Sequence, residues 1–160
     1  MTLSPRKRKI LGFLSWLTRL YLGGIFIWAS LYKIYEPQEF ALSVATYQML
    51  PLPFINLFAL ALPWVELVVG IALVLGFWTF ESATLISGMM LMFMTALGFA
   101  LSKGLQMSCG CFASQDAADE IGVHTLVRDG AWLLMAWFIM LVDKGDWGLD
   151  RWIAKRRRYE

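Results

Sequence analysis

The chain has 160 residues, of which 59% are apolar, 15% aromatic and only 16% charged, with a net charge of +2 and a mean hydropathy of +0.60. Soluble domains run at roughly 45–50% apolar and about 25% charged, so the excess apolar surface must face something other than water, and a lipid bilayer is the partner that fits. The same figures exclude disorder and collagen-like repeats, the two cysteines exclude a disulfide-dense scaffold, and basic residues gathered at the chain ends argue against nucleic acid.

In chain order, a basic start (Arg6, Lys7, Arg8, Lys9) leads into an apolar run at 13–32. The run is longer than the roughly 7–15 residues of a signal-peptide core and no small-residue cleavage site follows it, so it is expected to stay as a helix. Arg19 lies well inside it and Lys33 at its end. Residues 38–50 place Phe40, Val44 and Tyr47 at helical spacing, which predicts a short helix lying on the outer membrane surface before Pro51 and Pro53. Three further spans follow at 55–77, 82–101 and 123–142, each close to the roughly 20 residues that cross hydrocarbon. A tight turn around Trp78 to Glu81 separates the first two of these, and residues 147–158 mix Trp147, Leu149, Trp152 and Ile153 with basic residues, as an amphipathic cytoplasmic tail would.

Ten of the fourteen basic residues lie at the N-terminus or after the fourth span, the cytoplasmic side under the positive-inside rule. The expectation is therefore an all-α, polytopic membrane protein: one domain, a four-transmembrane-helix bundle with both termini cytoplasmic. Loops 35–54 and 103–122 then face outward, to the periplasm if the membrane is a bacterial inner membrane.

Cys109-Gly110-Cys111-Phe112 falls on that oxidising outer side. A Cys-x-Cys ring is small and strained, Gly110 suits its backbone, and strained accessible disulfides are the labile ones, so a redox-active pair is one reading. A disulfide that only staples the loop is another. A metal site is the weakest of the three, since Met107 and His124 are the only further ligands close in sequence.

Charges within spans cost about 2.5–3.5 kcal/mol each even on the lenient insertion scale, so Arg19 and Glu66 call for a reason. Depth counting brings them within reach of each other, either as a structural ion pair or as a proton-handling site. Pro63, three residues before Glu66, breaks the helix ladder and frees the Ala59 carbonyl. His124, Arg128 and Asp129 open the fourth span on the cysteine side, where with Lys33 and Lys103 they can form an electropositive patch favouring thiolate; snorkelling and capping are the plainer reading for the two lysines. Met89, Met90, Met92 and Met94 spread over several helix faces and read as packing rather than a copper site. Trp28, Trp64, Trp132 and Trp137 offer a flat apolar slot for a quinone or, equally, interfacial anchors. Gly23, Gly24, Gly70, Gly88 and Gly98 allow close helix contact.

Arg19-Leu20-Tyr21-Leu22-Gly23, Lys33, Tyr47 to Pro51, Leu62-Pro63-Trp64-Val65-Glu66, Cys109-Gly110-Cys111-Phe112 and Arg128-Asp129 together resemble the MauE/DoxX group of four-helix membrane proteins, the MauE side more closely. Ala113 stands where that family often has glycine. The resemblance implies a redox-associated inner-membrane protein beside a periplasmic thioredoxin-like partner, with which Cys109 and Cys111 are expected to exchange; a quinone as the electron carrier rests on analogy with four-helix disulfide-generating membrane proteins, and either direction of electron flow is open. Arg128 or His124 then stabilises charge, with Asp129, Arg19, Trp64 and Glu66 as further site residues. The competing expectation is a non-catalytic subunit or assembly scaffold of a larger membrane complex, with a structural disulfide.

Overall fold

The computed structural model describes residues 4–47, 51–103, 123–143 and Gly148. Among these residues all regular structure is helical: α1 (Pro5–Tyr35), α2 (Pro37–Thr46), α3 (Leu52–Leu75), α4 (Thr79–Ser102) and α5 (Val123–Val142). Cys109, Cys111 and the expected tail, Gly148 apart, lie outside the described residues.

Prolines and one glycine set the helix ends. Pro5 sits in the first turn of α1, where a missing N–H costs nothing. Pro37 forces Glu36 out of helical geometry, and the Glu36 N–H closes α1 by donating to the Tyr32 carbonyl at 3.0 Å. The same proline then starts α2. α3 stops at Gly76, which takes the left-handed conformation at φ 69°, and the Phe77 N–H reaches back to the Ala72 carbonyl at 2.9 Å. That is the hydrogen-bonded glycine stop that caps many helices. Trp78, also left-handed at φ 48°, completes the reversal into α4. The second and third spans therefore meet at Gly76 to Trp78, a tighter turn than the expected boundaries at 77 and 82.

Among the described residues four helices are long and apolar enough to cross a membrane, and only 28–33% of their most apolar stretches is buried inside the protein. The remainder presents apolar side chains outward, among them Trp28, Leu57, Val68, Leu134 and Leu141. Lipid is the environment that removes this surface from water. α1 is 31 residues long, roughly 46 Å at 1.5 Å per residue, so it overreaches a hydrocarbon core of about 30 Å and carries Arg6, Lys7 and Lys9, all exposed, on its first turns.

α1 packs chiefly on α3 and α4 on α5, with α1–α5 and α3–α4 contacts closing the bundle. Since lipid is as apolar as leucine, such pairs are held by close packing and polar contacts. Gly23 and Gly70 provide the closest approach: a Cβ on Gly23 would lie 2.8 Å from the Gly70 carbonyl, and one on Gly70 3.1 Å from the Gly23 carbonyl. Gly24, Gly88 and Gly98 face open space, so of the five span glycines only Gly23 and Gly70 make the close contact. The main core joins Leu22 and Phe26 of α1 to Leu73, Ile86, Trp132 and Ile139.

Candidate functional site

The intramembrane charges are paired differently from the sequence expectation. Arg19 is buried, donates from Nε to the Leu73 carbonyl at 3.1 Å, and forms an ion pair from Nη1 to Oδ2 of Asp143 at 3.2 Å. Ser15 adds a 2.9 Å hydrogen bond to the same carboxylate oxygen. Glu66 instead binds Lys33, whose ammonium lies 2.8 Å from both carboxylate oxygens and 5.0 Å from the centre of the Phe40 ring. The cause is register. The Gly23–Gly70 contact sets Arg19 level with Leu73, and Glu66 lies seven residues, roughly 10 Å, farther along α3. Lys33 is thus no interfacial snorkel but one half of a buried pair, and Asp143, just past the fourth span, is the partner that span counting missed.

The Lys33–Glu66 pair forms part of the wall of a cavity of about 260 Å³ to which all five helices contribute. α2 covers one side through Phe40, Ser43, Val44 and Tyr47. The apolar stripe on this helix faces the bundle, with Phe40 and Tyr47 buried, rather than a membrane surface. α4 adds Met89, Met90, Met92 and Phe93, and α5 adds Asp129 and Trp132. Pro63 is fully buried beside Leu62 and Glu66, where the interrupted helix ladder meets the cavity wall.

At the α5 side, Asp129 is 1% exposed. Its Oδ1 accepts a 3.1 Å hydrogen bond from Nε of Arg128, whose guanidinium lies 4.9 Å from the Trp132 ring. Its Oδ2 is buried without a hydrogen-bond partner among the described residues. Tyr47 packs edge-on against Phe93 at 6.4 Å. Burial, reinforced by the negative charge of Asp129, pushes the Tyr47 phenol up to about 12, so it remains a neutral O–H at physiological pH.

Several expected site residues lie elsewhere. Trp64 is 54% exposed on the outer face of α3, and Trp28 and Trp137 also point away from the core, which leaves Trp132 as the tryptophan of that group that lines the cavity. His124 is exposed in the first turn of α5 and is not part of the cavity wall. Arg19 belongs to the other end of the bundle. Among the described residues no group of three or more His, Cys, Asp or Glu side chains is placed to hold a metal ion.

Four apolar spans enclosing a small polar-edged cavity define a multi-pass helical membrane protein. A family model described as methylamine utilisation protein MauE matches residues 11–142, and the chain belongs to that family. It is 33% identical over 98 residues to the methylamine utilization protein MauE of Paracoccus denitrificans, covering 61% of this chain and 53% of that protein. It is 27% identical over 124 residues to the MauE of Methylophilus methylotrophus, covering 77% and 65% respectively. The chain thus spans between half and two thirds of the length of these relatives. No solved structure matches it.

Proposed function

We propose that the protein is an inner-membrane thiol–disulfide redox protein, with both termini cytoplasmic and Cys109 and Cys111 in the periplasm. One observation carries this reading: α4 ends at Ser102 and α5 begins at Val123, at the end of the bundle where Thr95, Ala96 and Asp129 border the cavity. The connection that bears both cysteines of the chain therefore leaves and re-enters the bundle at the same end as these cavity residues, about 9 Å along α4 and α5 from Ala96 and Asp129.

In the proposed cycle a thiolate of a thioredoxin-like partner attacks the Cys109–Cys111 disulfide, forming a mixed disulfide, and its second thiol releases the partner as a disulfide. Cys109 and Cys111 are left as two thiols. A quinone then takes two electrons and two protons from them, restoring the disulfide and giving a hydroquinone. Arg128, one turn beyond His124 on α5, supplies positive charge that stabilises thiolate. The relatives are named for methylamine utilization, and maturation of a disulfide-containing periplasmic protein in that process is the role this chemistry fits.

The test is to reduce the purified protein, remove the reductant, add a short-chain quinone without oxygen, and follow thiols by alkylation mass shift. Loss of two thiols with one hydroquinone formed supports the cycle, and thiols that persist contradict it. The buried Arg19–Asp143 and Lys33–Glu66 pairs favour a second reading, a rigid assembly scaffold of a larger complex with a structural disulfide. Under that reading, Cys109→Ser with Cys111→Ser retains maturation activity wherever the bundle still folds.

A further inference from the structure

Two polar features meet the cavity, and they are not alike. Lys33 and Glu66 satisfy each other through two 2.8 Å contacts. Asp129 has one oxygen satisfied by Arg128 and the other, Oδ2, buried with no partner among the described residues. An unsatisfied buried acceptor costs about 1–3 kcal/mol, and more when charged, so its retention on a cavity wall points to a donor other than the described residues. A carboxylate can only accept, so the missing group must carry an O–H or N–H.

The rest of the wall limits what carries that donor. It is overwhelmingly apolar, with Phe26, Phe40, Phe93 and Trp132 beside the thioethers of Met89 and Met90. Rings and thioethers of this kind pack against the face and edge of a flat aromatic molecule. At about 260 Å³ the cavity falls just below the roughly 300–1,000 Å³ of sites for drug-sized ligands, which suits a single ring.

We propose that this cavity binds a single-ring hydroquinone, with one ring hydroxyl donating to Oδ2 of Asp129. The inference rests on the redox reading for its physiological meaning and deepens it, since it gives the carrier a place and a preferred oxidation state. A quinone presents only acceptor oxygens and leaves Oδ2 unsatisfied, whereas a hydroquinone supplies the donor. Tighter binding of the reduced form makes the bound carrier a better electron acceptor, so electrons run from the cysteines to the carrier.

Anaerobic titration calorimetry on the full chain in detergent tests this with three probes of one shape: tetramethylhydroquinone, tetramethylquinone and tetramethylbenzene. The hydroquinone is expected to bind about tenfold more tightly than the other two, the worth of one good hydrogen bond. In Asp129→Asn the amide can donate to a quinone, and the gap closes to about twofold. This variant also breaks the 3.1 Å ion pair with Arg128, so its melting is followed beside its binding. Ala96→Leu, which fills the cavity from α4, weakens all three probes. Equal affinities in the parent protein, no binding at all, or a tenfold gap that survives Asp129→Asn would overturn the proposal. Should Asp129→Asn fail to fold, the parent affinities and Ala96→Leu still decide. Intact binding without thiol exchange defeats the redox reading alone, and intact exchange without binding defeats this one alone.

Discussion

Arg19 and Lys33 lie on nearly the same face of α1, about 21 Å apart, and each meets an acid on another helix. Around Arg19 the polar groups close on one another: Asp143, Ser15 and the Leu73 carbonyl share its guanidinium and carboxylate. A Cβ on Gly76 would strike the guanidinium and come within 2.8 Å of Gly148. No room is left there for a ligand. Around Lys33 the pairing is equally tight, but beside it lie a cavity and a carboxylate oxygen without a partner. One end of the bundle spends its charges on holding helices together, while the other keeps acceptor capacity in reserve, and that contrast separates scaffold from site.

The strongest way to break the contrast is to remove one partner of each ion pair. Arg19→Met and Lys33→Met should each destabilise the folded bundle by about 3–5 kcal/mol, measured by thermal unfolding in detergent, because each leaves a buried acid uncompensated. Combining Lys33→Met with Glu66→Leu should restore most of the loss, since two apolar side chains of similar size need no partner. If the double variant stays as unstable as Lys33→Met, the pair does more than balance charge.

A smaller effect probes the register that separates the two ends. Gly23→Ala places a methyl 2.7 Å from Val74 Cγ2 and 2.8 Å from the Gly70 carbonyl, an overpacking expected to cost about 1–3 kcal/mol. Gly24→Ala meets nothing within 4 Å and should be neutral or stabilising by up to about 1 kcal/mol. Equal effects at the two positions would mean that the α1–α3 contact does not set the pairing.

The smallest effect sharpens the cavity end. The Tyr47 phenol, raised from an ordinary value near 10 to about 12, ionises later in the folded than in the unfolded chain. Its contribution to stability is therefore present below pH 10 and is lost as pH rises from about 10 through about 12. Tyrosinate absorbance should show a step near pH 12 that Tyr47→Phe removes. Asp129→Asn should lower that step only in part, because burial is the larger cause.

The four spans were legible in composition because a bilayer demands long apolar runs whatever their neighbours. Their ends were less so: α3 stops at Gly76 and α4 starts at Thr79 because of a left-handed glycine cap and Trp78, which hydropathy does not register. The stripe of Phe40, Val44 and Tyr47 was readable as a helix face, but periodicity cannot say whether lipid or protein covers it. Ion pairing was illegible for a related reason. Depth counts place Arg19 near Glu66, while the actual partners depend on a register fixed by two glycines and on Asp143, just past the last span. Asp129 was visible as a charge at the head of α5, yet its unpaired oxygen exists only in three dimensions.

Whether Cys109 and Cys111 form a working couple is read most directly from their midpoint potential, by thiol-alkylation mass shift of the folded protein across a dithiol redox series. A reversible two-thiol transition well above about −300 mV is the predicted result, as for labile exchange-competent disulfides. A pair that resists reduction until the bundle unfolds would contradict it and leave the protein a scaffold.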